Sequence, residues 1–255
     1  MLRRGLLLAA PALLVGAAER LPLAAVPVSR LETPWWRARH EAKLADIRGR
    51  RIDLVWLGDS ITQDWELGGP EEWRDFVPVW NRFYGDRNAL NLGFKGDTTA
   101  HLLWRMMNGE IAGMQPKAAI ILNGANNMGR VHWSAPQTVA GIEAVVNEAR
   151  TRLPGAKLLL MSVLPSLRSR YVSRTTEAVN RDLAARYGDG GLPGVAYADV
   201  SRVFMKNGSV DRTQFLDDLL TPPDPPLHPT AQAQGQMAAL IEPMVAGAMG
   251  DRPHR

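Results

Sequence analysis

Cysteine is absent from the 255 residues of the sequence. This absence excludes a cysteine nucleophile, thiolate metal ligands and disulfide bonds. It does not identify the compartment, because an exported protein without disulfides and a cytosolic protein can both lack cysteine.

Runs of like charge are also absent, although the formal net charge is +4. The arginines alternate with acidic residues, and no motif combines basic and aromatic residues as nucleic-acid-binding motifs do. We therefore expect no nucleic-acid partner. The stretch "HEAKL" at 40–44 lacks the second histidine of a zinc-protease helix, so the sequence also predicts no metal site.

The N-terminus has no apolar run long enough to span a bilayer. "MLRRGLLLAAPALLVGAA" has two arginines, a short apolar stretch and small residues, the plan of a secretory signal, and Arg3-Arg4 hints at the twin-arginine type. We expect a signal at 1–25 cleaved after Ala18 or Ala25, and a periplasmic or secreted product without stable membrane insertion. An uncleaved anchor is the alternative. After the signal we expect an irregular lead-in up to residue 33. A single domain then covers 34–250, and a short tail follows at 251–255.

Five short apolar runs predict buried strands. They lie at 53–57, 89–93, 118–123, 157–163 and 195–200. Helical patterns cover 34–50, 98–108, 135–152, 173–187 and 230–248. The runs lack alternation of polar and apolar residues, as expected of strands covered on both faces. Alternating strands and helices predict an α/β fold with a parallel sheet.

Polar residues follow several of these runs. Ser60 follows the first in "GDS", Gly93 ends the second, and Asn126 follows the third in "NGANN". Asp224 and His228 precede the last helix in "DPPLHPT". Because ligands bind beyond the carboxyl ends of parallel strands, we expect these residues to meet at one edge of the sheet.

This set of groups suits acyl transfer. A serine hydroxyl needs an adjacent base, for which histidine is suited, and a carboxylate can orient that histidine. The negative charge of the tetrahedral intermediate needs fixed N–H donors. The sequence offers the amides of Ser60 and Gly93 and the side chain of Asn126 as this oxyanion hole, while Gly96 is expected to be structural.

The order of four blocks resembles the SGNH, or GDSL, hydrolases. The blocks are "GDSIT" at 58–62, Gly93, "GANN" at 124–127 and His228, and "GDTTAHLLWRMMNGEI" at 96–111 is most similar to the catalytic subunits of intracellular platelet-activating-factor acetylhydrolase. The resemblance implies a flavodoxin-like, three-layer α/β/α fold with a five-stranded parallel sheet. It implies an esterase without cofactor, with Ser60 as nucleophile and His228 as base, and it hints at a homodimer.

The acid departs from the family pattern. In the family it lies three residues before the histidine, whereas Asp224 lies four residues before His228. We expect Asp224 to orient His228, with a backbone carbonyl, Asp217 or Asp218 as less favoured alternatives. Pro225 and Pro226 stiffen the intervening segment.

Other residues near the blocks have supporting roles in this interpretation. Asp59 is expected to brace the nucleophile loop as a hydrogen-bond acceptor, and Asn127 to support Asn126. Trp65 and Trp104 are candidates for lining the pocket, with packing as the alternative.

The function predicted is a serine esterase that removes short acyl groups, acetyl being favoured, from O-acetylated carbohydrate or small esters. A lysophospholipase or thioesterase with a longer acyl slot is one alternative. A non-catalytic carbohydrate-binding module on the same fold is another.

Overall fold

A computed structural model describes residues 21–254 of the chain. Its central sheet has five parallel strands in the order β2-β1-β3-β4-β5. The strands are β1 (Leu54–Gly58), β2 (Ala89–Gly93), β3 (Ala118–Leu122), β4 (Lys157–Met161) and β5 (Val195–Ala198). Each strand overlaps one of the five predicted runs. This order is the flavodoxin-like one, and the predicted fold is confirmed.

The helices are α1 (Pro34–Ile47), α2 (Ser60–Gln63), α3 (Val77–Tyr84), α4 (Thr99–Arg105), α5 (Ala125–Gly129), α6 (Ala135–Arg152), α7 (Arg170–Tyr187) and α8 (Ala231–Met249). The sequence predicted α1, α4, α6, α7 and α8 but not the short α2, α3 and α5. As an α-helix, α4 ends before the predicted boundary. A π-helical turn follows over Met106–Glu110 and is interrupted at Gly109, which has a φ of +109°. Two further short strands, β6 (Met205–Lys206) and β7 (Ser209–Val210), pair with each other in antiparallel orientation.

The two faces of the sheet are covered by separate hydrophobic cores. Along β1, Val55 and Leu57 pack with residues of α4, α6 and α7, whereas Leu54 and Trp56 pack with residues of α3 and α8. Alternation of side chains along a strand sends neighbouring residues to opposite faces. Helices on both faces give the three-layer arrangement and leave the carboxyl edge of the sheet open for a site.

The segments at the two ends of the described region pack on the domain. Ala24 is fully buried, and its carbonyl accepts a hydrogen bond from Thr99 Oγ1 at 2.7 Å. At the other end, Asp251 in the predicted tail pairs with the buried Arg87 at 2.8 Å. Most of the predicted signal, residues 1–20, lies outside the described residues. Within residues 21–254, no helix combines the length and apolar character needed to cross a membrane.

Candidate active site

Ser60 and His228 meet at the carboxyl edge of the sheet. Ser60 begins α2 directly after β1, and His228 lies just before α8. The distance from His228 Nε2 to Ser60 Oγ is 3.0 Å, a hydrogen-bond distance for a base that takes the serine proton. Two residues 168 positions apart in sequence are thus arranged as nucleophile and base.

The carboxylate beside His228 belongs to Asp217, not to Asp224. Asp217 Oδ1 lies 2.8 Å from His228 Nδ1, and Asp217 Oδ2 accepts from the backbone N–H groups of Leu227 and His228. A proton held on Nδ1 by this carboxylate leaves Nε2 free to accept the proton of Ser60. The prediction of Asp224 as the orienting acid is wrong, and the less favoured Asp217 takes its place.

Backbone pairing explains why an acid so far from the histidine reaches it. Phe215 and Pro229 form an antiparallel bridge, and the amide of Leu216 donates to the carbonyl of His228 at 2.9 Å. This pairing places residue 217 beside residue 228. The amide of Asp224 donates to the carbonyl of Asp217 at 2.9 Å, while Asp224 itself is exposed. Asp224 therefore caps the intervening loop at the rim of the site.

The charges of the two partners shift each other's pKa. Burial alone would lower the pKa of His228, but the hydrogen bond and charge of Asp217, with the charges of Asp64 and Asp59, raise it above the usual value. Burial would raise the pKa of Asp217, yet its bonds to His228 and to the amides hold it below the usual range. Asp217 is thus ionised wherever His228 titrates, and His228 acts as a base only above its raised pKa.

The pH profile of the reaction follows from this shift. The acidic limb of kcat/KM should lie at higher pH than for an ordinary imidazole, because protonated His228 cannot accept the proton of Ser60. Asp64→Asn removes one charge that raises the pKa of His228, so the limb should move to lower pH. Profiles for para-nitrophenyl acetate measure both shifts. Asp224→Asn is the control and should leave the limb in place, and an unmoved limb in Asp64→Asn would contradict the account.

Three N–H donors surround the space next to Ser60. Ser60 and Gly96 line the cavity, and within the described residues neither backbone amide has an acceptor. Asn126 also lines the cavity, and one N–H of its side chain is held by the carbonyl of Asp97 at 3.0 Å. Its second N–H is left for a ligand. Together these groups are a candidate oxyanion hole, because donors to a developing oxyanion must already be in place before substrate binds.

Gly93 does not belong to this oxyanion hole. Its amide donates to Asn91 Oδ1 at 2.8 Å, and a Cβ at this position would lie 2.1 Å from the amide nitrogen of Gln63. Gly93 is therefore packed tightly behind α2. Gly96, expected to be mostly structural, has a φ of +77°, which glycine adopts without strain, and it lies at the cavity.

Asp59 and Asn127 hold the loops in place. Asp59 accepts a hydrogen bond from the amide of Ile61 at 3.1 Å and so braces the turn into α2, the acceptor role expected for it. Burial, the largest influence, raises the pKa of Asp59 to about 7. Asn127 binds Thr99 through both side-chain atoms, at 2.9 and 2.7 Å, and so ties α5 to α4 beside Asn126.

Asn126→Ala should lower kcat by about 100- to 1000-fold, because one donor to the developing oxyanion is lost. The change is expected in turnover more than in KM, since the tetrahedral intermediate carries more negative charge on oxygen than the substrate does. Steady-state kinetics with para-nitrophenyl acetate, together with a melting curve, provide the test. An unchanged turnover in a folded variant would remove Asn126 from the oxyanion hole.

The site opens into a cavity of about 450 Å³. Its walls combine apolar, cationic and acidic side chains, and besides Ser60, Gly96, Asn126, Asp217 and His228 they include Asp64, Leu67, Arg74, Lys95, Arg130, Arg168, Leu216, Leu220, Asp224 and Leu227. Apart from Asp224, the charged members of this set were not identified from sequence. No motif marks them, since the cations come from different loops.

Neither tryptophan proposed for the pocket lines it. Trp65 is 2% exposed and packs against Trp56 and Trp80 with ring centroids 5.8 Å apart in both pairs. Trp104 packs against Trp36 at 5.5 Å. The pocket role is wrong for both, and packing, the alternative, is what the structure shows. The 3-10 helix Asp64–Glu66 turns Trp65 into the core and leaves Asp64 at the cavity.

Comparisons of sequence find relatives of this chain among known proteins. The profile of the GDSL-like Lipase/Acylhydrolase family matches residues 56–235. Human platelet-activating factor acetylhydrolase IB subunit alpha1 is 30% identical over 222 residues, covering 82% of this chain and 90% of that protein. The rat alpha2 subunit is 34% identical over 131 residues, and the chain spans only about half of its length, 52%.

Solved structures show the same fold. A GDSL-like lipase from Bacteroides thetaiotaomicron superposes with a TM-score of 0.61 at 18% identity, covering 83% of this chain and 97% of that one. A carbohydrate esterase family 3 protein from Talaromyces cellulolyticus has a TM-score of 0.56 at 20% identity, covering 79% of this chain and 99% of that one. At these identities the match concerns the fold alone.

Proposed function

Because the chain belongs to the GDSL-like lipase/acylhydrolase family and is a hydrolase acting on esters, we propose that it removes acetyl or similarly short acyl groups from carbohydrate or small esters. The single observation that carries this proposal is the hydrogen-bonded series Asp217–His228–Ser60, with distances of 2.8 and 3.0 Å, beside the oxyanion hole. This is the arrangement that acyl transfer through a serine requires.

The reaction follows from the geometry in two halves. Ser60 Oγ attacks the ester carbonyl while His228 Nε2 takes its proton, and the oxyanion is held by the amides of Ser60 and Gly96 and by Asn126. His228 then gives this proton to the departing alcohol, which leaves the acyl group on Ser60. Water attacks the acyl-enzyme with His228 again as base, and the carboxylic acid and free Ser60 are regenerated.

The side chains that line the cavity favour a substrate whose alcohol part is polar. Asp64 is 3% exposed, and its Oδ1 accepts no hydrogen bond from the described residues, although Lys95 Nζ lies 3.6 Å away. A buried acceptor without a donor is costly, and a hydroxyl group of a bound carbohydrate would supply one. The name of the Talaromyces neighbour, a carbohydrate esterase, points the same way.

A second candidate is supported by the apolar part of the cavity. Leu67, Leu216, Leu220 and Leu227 line it and would accept an alkyl chain. A lysophospholipase or thioesterase would use these leucines as an acyl slot. The charged groups that line the same cavity favour the short-acyl proposal, because a long alkyl chain would desolvate them.

A series of para-nitrophenyl esters from acetate to octanoate separates the two candidates. We expect kcat/KM to be highest for acetate and to fall with chain length, and we expect Ser60→Ala to lose on the order of 10⁵-fold or more at every chain length. Release of acetate from an acetylated oligosaccharide would then test whether the enzyme accepts a carbohydrate as the alcohol part of the ester. A maximum at octanoate would contradict the short-acyl proposal and favour the longer slot.

We also propose that the protein is exported and that its signal is cleaved after Ala18 and not after Ala25. Cleavage after Ala25 would remove Ala24, which is buried and accepts the hydrogen bond of Thr99, the residue that binds Asn127. The N-terminal sequence of the exported protein tests this directly. A mature chain that starts at Val26, or a chain retained whole in the cytoplasm, would contradict it.

A further inference from the structure

Two arginines lie at the active-site cavity without a carboxylate partner. Arg130 and Arg168 both line the cavity with Asn126 and Gly96, and among the described residues no carboxylate lies within ion-pair distance of either guanidinium. Arg168 is half-buried and Arg130 is exposed. A cation that is partly withdrawn from water and lacks a counter-ion favours the binding of an anion.

Both guanidinium groups are seated against glycines. A Cβ on Gly96 would lie 2.1 Å from Arg130 Nη1, and a Cβ on Gly129 would lie 2.0 Å from Arg168 Nη1. The positions of the arginines thus depend on these two glycines. Arg168 is fixed further, because it donates to the carbonyl of Ala125 at 2.8 Å and to Ser166 Oγ at 3.1 Å.

The electrostatics of the pair are unfavourable without a ligand. Burial, with a smaller contribution from the charge of Arg130, lowers the pKa of Arg168, and the charges of Asp59 and Asp217 offset this only in part. The buried acidic groups at the cavity face other residues: Asp217 is bound to His228, and Asp64 Oδ1 lies 3.6 Å from Lys95 Nζ. Asp224 and Arg74 are exposed. An anion between Arg130 and Arg168 would relieve their mutual repulsion.

We propose that Arg130 and Arg168 bind a carboxylate carried by the alcohol part of the ester, so that the preferred substrates are short-acyl esters of acidic alcohols. Guanidinium groups suit this ligand because their planar N–H pairs match the two oxygens of a carboxylate. An acetyl group fills only a small part of the cavity of about 450 Å³, which leaves the remainder to the alcohol. The inference rests on the proposed short-acyl esterase function.

A matched pair of neutral and anionic esters tests the proposal. The probes are para-acetoxybenzoate and para-acetoxybenzamide, with their meta isomers, which differ in the charge of the alcohol and not in the acyl group. Wild type should have the higher kcat/KM for the benzoates, chiefly through a lower KM, and the preference should weaken as salt is added. Arg130→Gln should reduce kcat/KM for the better benzoate by about tenfold or more and change the benzamides little.

Variants of Arg130 distinguish binding of the substrate carboxylate from stabilisation of the oxyanion. Arg130→Lys should keep part of the preference, and the exposed Arg150 on α6 provides a control, Arg150→Gln, that removes one positive charge away from the cavity. Equal losses on charged and neutral probes in Arg130→Gln, or no preference in wild type, would overturn the proposal. Failure of wild type to hydrolyse any of the four esters would instead contradict the esterase function itself.

Discussion

Asp217→Asn is expected to lower kcat by about 10⁴-fold, because His228 loses the carboxylate that keeps its proton on Nδ1 and stabilises the imidazolium. In the structure Asp217 Oδ1 lies 2.8 Å from that nitrogen. An asparagine can preserve the shape of the loop but carries no charge. Initial rates with para-nitrophenyl acetate, together with melting curves, measure the effect in folded protein.

The matched control for this variant is Asp224→Asn. Asp224 is the acid that sequence spacing favours, but it is exposed and its amide only caps the loop at Asp217. We expect its replacement to change kcat by no more than a few-fold. The reverse ranking, with the larger loss in Asp224→Asn, would contradict the assignment of the acid.

Ser60→Ala is expected to lower kcat on the order of 10⁵- to 10⁶-fold, because no other group in the site can form the acyl-enzyme. Ser60 is buried, small and free of backbone strain, so the alanine variant should fold and bind substrate analogues. The residual rate comes from the oxyanion hole and from binding. It is measured against the uncatalysed hydrolysis in the same buffer.

The nucleophile and its base should act as one unit. Ser60→Ala and His228→Ala should each have nearly the full effect, and the double variant should be little worse than either, because removing one member disables the other. Losses that multiply in the double variant would show that the two residues act independently. That outcome would contradict their hydrogen bond at 3.0 Å as the catalytic contact.

The sheet could be predicted from sequence because its signal is local. Each apolar run, such as "AAIILN" at 118–123, is a short buried segment that identifies itself without knowledge of its neighbours. Helix α3 was missed because its eight residues, "VPVWNRFY", carry a proline and too few turns for a clear period. Its helical state depends on packing against α8, a contact of the folded chain.

The site was predictable where a residue follows a strand within a few positions, as Ser60 follows β1 and Asn126 follows β3. Asp217 was not, because it is brought to His228 by antiparallel pairing of Phe215 with Pro229. The choice of Gly93 over Gly96 failed for a related reason. Both are glycines near the end of β2, and only the packing of Gly93 against the backbone of α2 shows which amide is free.

Covalent labelling by a fluorophosphonate, followed by intact mass and peptide mapping, identifies the nucleophile directly. We expect one adduct per chain, located on Ser60, formed at an undiminished rate in Asp224→Asn and far more slowly in Asp217→Asn. Folded wild-type protein that stays unlabelled, or an adduct on another residue while Ser60 stays free, would contradict Ser60 as the nucleophile.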